Sequence, residues 1–242
     1  MSVPSLDSDL KPLPARSVVL SLLLGEEPHR MSPAQLVRAG EHFGIPAPTV
    51  RVALTRGIAT GDLAREGSDY VLGERMLVRM RRQDEAVEDA TLPWDGSWEM
   101  AVVVVSGRTG PERAALREVL TDARLAELRE GVWARPANLR RPPSYDDNPV
   151  LACFRATPAD DGAVMTGRLW DLDAWCAGGQ ALLGQLRDTT EPALRLAVAA
   201  QIVRHLSTDP LLPLELRPAG WPGAELRSAY AAYREEVRAL QR

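Results

Sequence analysis

Cysteine, histidine, phenylalanine and lysine are scarce in this 242-residue chain, which has two, three, two and one of them. Cys153 and Cys176 cannot make a disulfide scaffold, and with His29, His42 and His205 they give no spacing for a structural zinc site. Long apolar runs are also missing. The longest, Val18 to Leu24, is broken by Ser21 and falls far short of the roughly 20 residues that cross a bilayer. No charged leader with a small-residue cleavage site precedes it, so the expectation is a cytoplasmic, reduced protein with no membrane partner. Hydrophobic residues make up 45% and charged residues 26%, which sets aside disordered, collagen-like and coiled-coil classes for the bulk of the chain. The net charge of −4 argues against a wholly basic nucleic-acid coat protein, although an acidic average can contain a local basic patch. Lys11 is the only lysine, so the cations are nearly all arginine; a GC-rich genome produces that bias as readily as phosphate recognition does.

The length suits one large or two to three small domains. Residues 1–13 mix Ser, Pro and Asp without period and read as a flexible arm. From Pro14, the spacing of Val18, Val19, Leu22 and Leu23 gives one apolar helix face, ended by Gly25. Ser32-Pro33-Ala34-Gln35 has capping-box spacing with proline at the first helical position, opening a second helix whose stripe is Leu36, Val37 and Phe43. Val50, Ala53, Leu54 and Ile58 predict a third helix, ending at Gly61. Leu63 to Arg65 and Tyr70 to Leu72 predict two strands joined by a turn. Three helices followed by a hairpin is the layout of a winged helix over 14–73, whose third helix normally enters the DNA major groove.

Removing the core positions of that third helix leaves Thr49, Arg51, Val52, Thr55 and Arg56 facing outward. Arg51 and Thr55 lie one turn apart. Arginine can bond bidentately to guanine or phosphate, and threonine offers a hydroxyl or a methyl to base edges or backbone. Between Ile45 and Arg82, seven arginines face four acids, so the segment is locally basic. Together with Arg65 in the wing, these are the candidate DNA-binding residues. The alternative is a protein-interaction module with a solvated arginine face.

A charged helix over 74–93 reads as a linker or a phosphate rail. A second unit over 94–165 begins at Trp94-Asp95-Gly96-Ser97-Trp98. It continues through a strand at Met100 to Val105, a helix from Pro111 to Leu128, and strands at Gly131 to Trp133 and Val150 to Arg155, an order that suggests a ferredoxin-like half. Residues 166–242 read as an all-helical unit with helices at Leu172 to Leu186, Glu191 to Leu206 and Ala224 to Leu240. Its Trp170, Trp175, Trp221, Tyr230 and Tyr233 either line an apolar pocket or fill the core. The fold class is therefore α+β and multidomain.

The run Ala15 to Gly25, Phe43-Gly44-Ile45, and Val50-Arg51-Val52-Ala53-Leu54-Thr55-Arg56 resemble the PaaX family of phenylacetate-degradation repressors. The likeness continues through Trp94-Asp95-Gly96-Ser97-Trp98, Gly131 to Pro136, Leu169-Trp170-Asp171-Leu172, Asp209 to Pro213 and Leu216 to Gly223. It spans roughly residues 15–240. The resemblance implies a homodimeric transcriptional regulator with an N-terminal winged helix, a central Cas2-like domain and a helical C-terminal domain. It also implies repression of an aromatic-acid catabolic operon and release by an aryl-acyl-CoA effector. The helix-three motif carries the DNA role onto Arg51, Thr55 and Arg56. No family motif assigns the effector contacts; Arg140 and Arg141 for phosphate charge and Trp170 for the acyl group are chosen on chemistry alone. Gly57 stands where the family carries a large apolar residue and Asp62 where it carries an aromatic. Both are expected to loosen helix three against the wing or to mark a subgroup with another effector and operator.

No catalytic residue, metal site or cofactor is expected. A Cas2-like nuclease would need a metal-binding carboxylate at the end of its first strand, yet Val102 to Val105 runs into Ser106-Gly107-Arg108, and Glu99 is isolated. A thioester hydrolase would need a nucleophile elbow or a Cys–His pair, and the chain has neither.

Overall fold

The computed structural model describes residues 10–26, 28–88, 91–140 and 143–239, apart from the side chains of 79 and 81–86. Two compact units emerge. One combines residues 10–88 with 178–207 and 222–239; the other combines 91–177 with 208–221.

The first unit opens with helix α1 (Ala15–Gly25), which buries Val18, Val19, Leu22 and Leu23. A two-residue strand β1 (Arg30–Met31) follows, and then α2 (Pro33–His42). Both bonds of the α2 capping box form: Ser32 N–H donates to Gln35 Oε1 at 2.8 Å, and Gln35 N–H donates to Ser32 Oγ at 3.3 Å. Helix α3 (Ala47–Ala59) begins after Pro46 and buries Val50, Ala53, Leu54 and Gly57. Strands β2 (Leu63–Glu66) and β3 (Asp69–Leu72) pair antiparallel with Glu66 opposite Asp69. Gly67, with φ 62°, takes the first turn position, as a type II′ hairpin requires. The sheet order is β1-β3-β2. Three helices and this antiparallel sheet make up this part of the unit, with β1 added by a segment too short to show a period in the sequence.

Helix α3 departs from the expected pattern at one position. Its buried stripe runs through Gly57, and Ile58 is exposed. The reason is a close approach of the β2–β3 hairpin: a Cβ on Gly57 would lie 2.7 Å from Leu63 Cδ1. Gly57 therefore brings helix and strand together rather than loosening them.

Helix α4 (Glu74–Val87) belongs to the same unit, as do α8 (Pro192–Leu206) and α9 (Gly223–Ala239). Helix α8 packs on α4 and α9, and α9 also packs on α1. Arg238 Nε donates to Gly25 O at 2.6 Å, capping the end of α1, and Arg227 Nε donates to Val87 O at 2.9 Å at the end of α4. Tyr233 is buried, which makes it core. The chain passes between the units within α7 (Leu172–Asp188).

The second unit is built on strands β4 (Trp98–Val103), β5 (Ala126–Arg129), β6 (Val132–Pro136) and β7 (Leu151–Ala156) in the order β5-β6-β4-β7. Every neighbouring pair is antiparallel, which is the strand order of a ferredoxin-like sheet. Helix α5 (Gly110–Asp122) covers one face through Leu116 and Leu120, which pack with Ala101, Trp133 and Tyr145. The second helix of a complete ferredoxin-like fold is replaced by the loop carrying Tyr145. On the opposite face, Met165 and Leu169 of α6 (Gly162–Leu169) and Leu216 of a short 3-10 turn pack around Trp98 and Ala134.

Two expectations are corrected in this unit. Helix α5 stops at Asp122 rather than running to Leu128. Arg124 adopts φ 63°, its N–H donates to Thr121 O at 2.8 Å, and Leu125 N–H donates to Leu120 O at 2.9 Å. That pair of bonds is a Schellman motif. Leu125 and Leu128 therefore join the turn and β5. Val104 and Val105, expected at the end of a buried strand, lie beyond β4 and are exposed.

Candidate nucleic-acid interface

Helix α3 is anchored on one side by Val50, Ala53 and Leu54, so its other side is fixed relative to the fold. Thr49, Arg51, Val52, Thr55 and Arg56 are all exposed there. Val52 keeps 49% of its surface. Thr55 Oγ1 donates to Arg51 O at 3.1 Å, which occupies the hydroxyl proton and leaves the methyl and the lone pairs outward. Arg51 and Arg56 have no ion-pair partner among the described residues.

The orientation of α3 is set by the turn that follows it. Asp62, only 3% exposed, accepts from Arg16 Nε at 3.1 Å and Arg16 Nη2 at 2.5 Å, and also from Thr60 Oγ1. The Thr60 hydroxyl and the Arg16 guanidinium hold its carboxyl below the usual carboxylate range. Asp62 therefore ties the α3–β2 turn to the first turn of α1, a role that no aromatic at that position could fill.

In the β2–β3 hairpin, Arg65 is exposed but committed locally. Its Nη2 donates to Tyr70 Oη at 2.8 Å, and its Cζ lies 4.8 Å from the Tyr70 ring centroid. The hairpin tip carries Glu66 and Asp69. Arg30 pairs with Glu66 and reaches Asp69 at 3.9 Å.

The residues considered for an effector are not gathered. Arg140 is exposed, Trp170 caps α6 with its N–H on Thr166 O at 3.0 Å, and no described interaction joins them. Arg141 lies outside the described residues. Trp175 is buried and stacks on Trp221, with centroids 4.1 Å apart and planes 10° apart, which fills the second unit's core.

Groups suited to catalysis are occupied by structure. Glu99 accepts from Tyr145 Oη at 2.8 Å, and burial raises the Tyr145 pKa well above its usual value. Burial also raises the Cys153 thiol, opposite to what a nucleophile needs. Among the described residues, no group of three or more His, Cys, Asp or Glu side chains could hold a metal ion. Nor is any helix among them long and apolar enough to cross a membrane.

No curated protein matches the chain. Among solved structures, the uncharacterized protein Rv0674 from Mycobacterium tuberculosis is similar, with a TM-score of 0.85 and 43% identity over 96% of this chain and 98% of that one. Three family models match in sequence: the PaaX-like protein over 14–76, the PaaX protein central Cas2-like domain over 91–144, and the PaaX-like protein C-terminal domain over 172–242. These are the domains of a PaaX-like regulator, and they point to a non-enzymatic role. With all three present in order and a mixed α+β fold around a central antiparallel sheet, the chain belongs to the PaaX-like protein family.

Proposed function

We propose that this protein is a DNA-binding transcriptional regulator whose recognition element is α3, read out through Thr49, Arg51, Val52, Thr55 and Arg56. The observation that carries this reading is the pair Arg51 and Arg56. Both are exposed and, among the described residues, without ion-pair partners, on a helix whose opposite face is locked into the core. Unpaired guanidinium groups on a rigid helix suit phosphate and guanine contacts, which need preset geometry. The acidic tip at Glu66 and Asp69 turns phosphate contact away from the wing's end, so Arg65 contributes from the flank of the hairpin.

Family likeness supports the finer reading: a homodimeric repressor of an aromatic-acid catabolic operon, released by an aryl-acyl-CoA effector. Two copies would present two α3 helices to half-sites about one helical turn or a multiple apart. An effector releases such a dimer only through higher affinity for the conformation that misplaces those helices. The test is binding of the purified protein to the DNA upstream of its own gene and its neighbours, with and without phenylacetyl-CoA. Tight binding reversed by the thioester is expected; specific binding to no segment would favour the protein-interaction module instead.

A further inference from the structure

Beside α5 lies a cavity of about 620 Å³, lined by Arg108, Arg113, Arg117 and Arg129 over a floor that includes Leu116 and Trp133. We propose that this cavity is a binding site for a small organic phosphate of nucleotide size, carrying at least two anionic groups. It lies wholly within the second unit and is separate from α3.

The charge balance points to an anion. Four guanidinium groups face two carboxylates, Glu127 and Glu130. Glu127 is occupied through both oxygens, by Arg117 Nη2 at 2.7 Å and by Gly131 N–H at 3.2 Å. Arg117 is further held over the Trp133 ring, its Cζ 5.4 Å from the centroid. Arg113 Nη1 donates to Arg108 O at 2.9 Å and so fixes the loop that carries Arg108. The helix terminus is not the attraction, because Thr109 and Glu112 already cap α5 reciprocally. A second observation is independent of this count. Arg108 Nη1 is buried and has no hydrogen-bond partner among the described residues. An enclosed charged donor without a partner is costly, and an anion entering the cavity satisfies it once the Arg108 side chain turns Nη1 toward the opening.

Shape and chemistry then narrow the class. The volume lies within the usual range for small-molecule sites of roughly 300–1,000 Å³. A concave site with an apolar floor suits a compact ligand better than the continuous backbone of a duplex. Guanidinium groups in a cluster match phosphate oxygens bidentately, and two net positive charges suit a diphosphate better than a monocarboxylate. Only the regulatory role of such a ligand rests on the DNA-binding reading; its binding does not.

The test is calorimetric titration of the full chain with inorganic pyrophosphate, ADP and coenzyme A, alongside Arg108→Gln and Arg129→Gln. Both variants are checked for wild-type thermal melting. ADP or coenzyme A should bind, and each replacement should raise Kd about tenfold or more. Arg168→Gln, which removes a surface pair with Asp160 outside the cavity, should leave Kd unchanged. Equal affinity for the two nucleotides assigns the site to their shared diphosphate, whereas tighter coenzyme A assigns the added affinity to its 3′-phosphate and pantetheine arm. Absence of binding by all three probes at millimolar concentration overturns the proposal, as does binding that neither replacement weakens. Loss of DNA affinity in Arg108→Gln and Arg129→Gln without any ligand binding would make the cavity a DNA contact instead. The variants Arg51→Ala and Arg56→Ala separate the two readings, since they should lose DNA while retaining the nucleotide.

Discussion

Asp62 and Arg16 stand 46 positions apart in sequence and meet in a bond of 2.5 Å between Oδ2 and Nη2. The carboxylate is almost fully enclosed while the guanidinium stays largely in solvent, so the acid is the member that depends on its partners. Replacing Asp62 with alanine removes the charged acceptor that Arg16 and Thr60 share and should destabilise the protein by roughly 1.5–3 kcal/mol, the usual worth of hydrogen bonds to a charged group. The measurement is equilibrium urea denaturation of Asp62→Ala against wild type.

The same pair fixes a pH dependence. The folded Asp62 titrates below the ordinary aspartate value, so the unfolded state binds its proton first as pH falls. Its stabilising contribution is complete above the unfolded pKa of about 3.9 and is lost as pH falls through the lower folded value. The stability gap between wild type and Asp62→Ala should therefore be constant near neutrality and close under acid conditions. A gap that widened in acid would contradict this sign.

Gly57→Ala sets two effects against each other. Helix propensity favours alanine by about 1 kcal/mol, but the new methyl would enter the 2.7 Å space before Leu63 Cδ1. Overpacking of this kind typically costs about 1–3 kcal/mol, so the net change should be destabilising. A raised thermal midpoint in Gly57→Ala would show that Leu63 moves aside freely.

Arg124→Gly tests the stop signal of α5. An L-residue in the left-handed region carries a strain of roughly 1–2 kcal/mol that glycine relieves, partly offset by glycine's greater freedom when unfolded. The variant should be more stable than wild type by up to about 1 kcal/mol in the same denaturation assay.

The sequence shows what is periodic or locally encoded and hides what depends on long-range approach. The capping box at Ser32 and Gln35, the stripe of α1 and the hairpin at Gly67 are readable because neighbours in sequence make their bonds. The stop at Arg124 is invisible because the usual glycine is absent, so Leu125 and Leu128 appear to continue the apolar face of α5. Ile58 fits a helical period as well as Gly57 does, and only the position of Leu63 decides between them. The outward face of α3 follows from subtracting its core and is legible. The Arg16–Asp62 pair is not, because nothing local links position 16 to position 62. Arg113 and Arg117 carry one local signal, their spacing of one helical turn, but Arg108 and Arg129 join them only through the fold.

Helix α3 as the DNA-reading element is tested most directly by fluorescence anisotropy of duplex binding over a salt series, comparing wild type with Arg51→Ala and Arg56→Ala. Wild-type affinity should fall steeply and linearly in log–log form with salt. Each variant should bind more weakly, and where the lost arginine contacts phosphate the slope should be shallower by about one. Wild-type affinity and slope in both variants, with folding intact, would contradict the account.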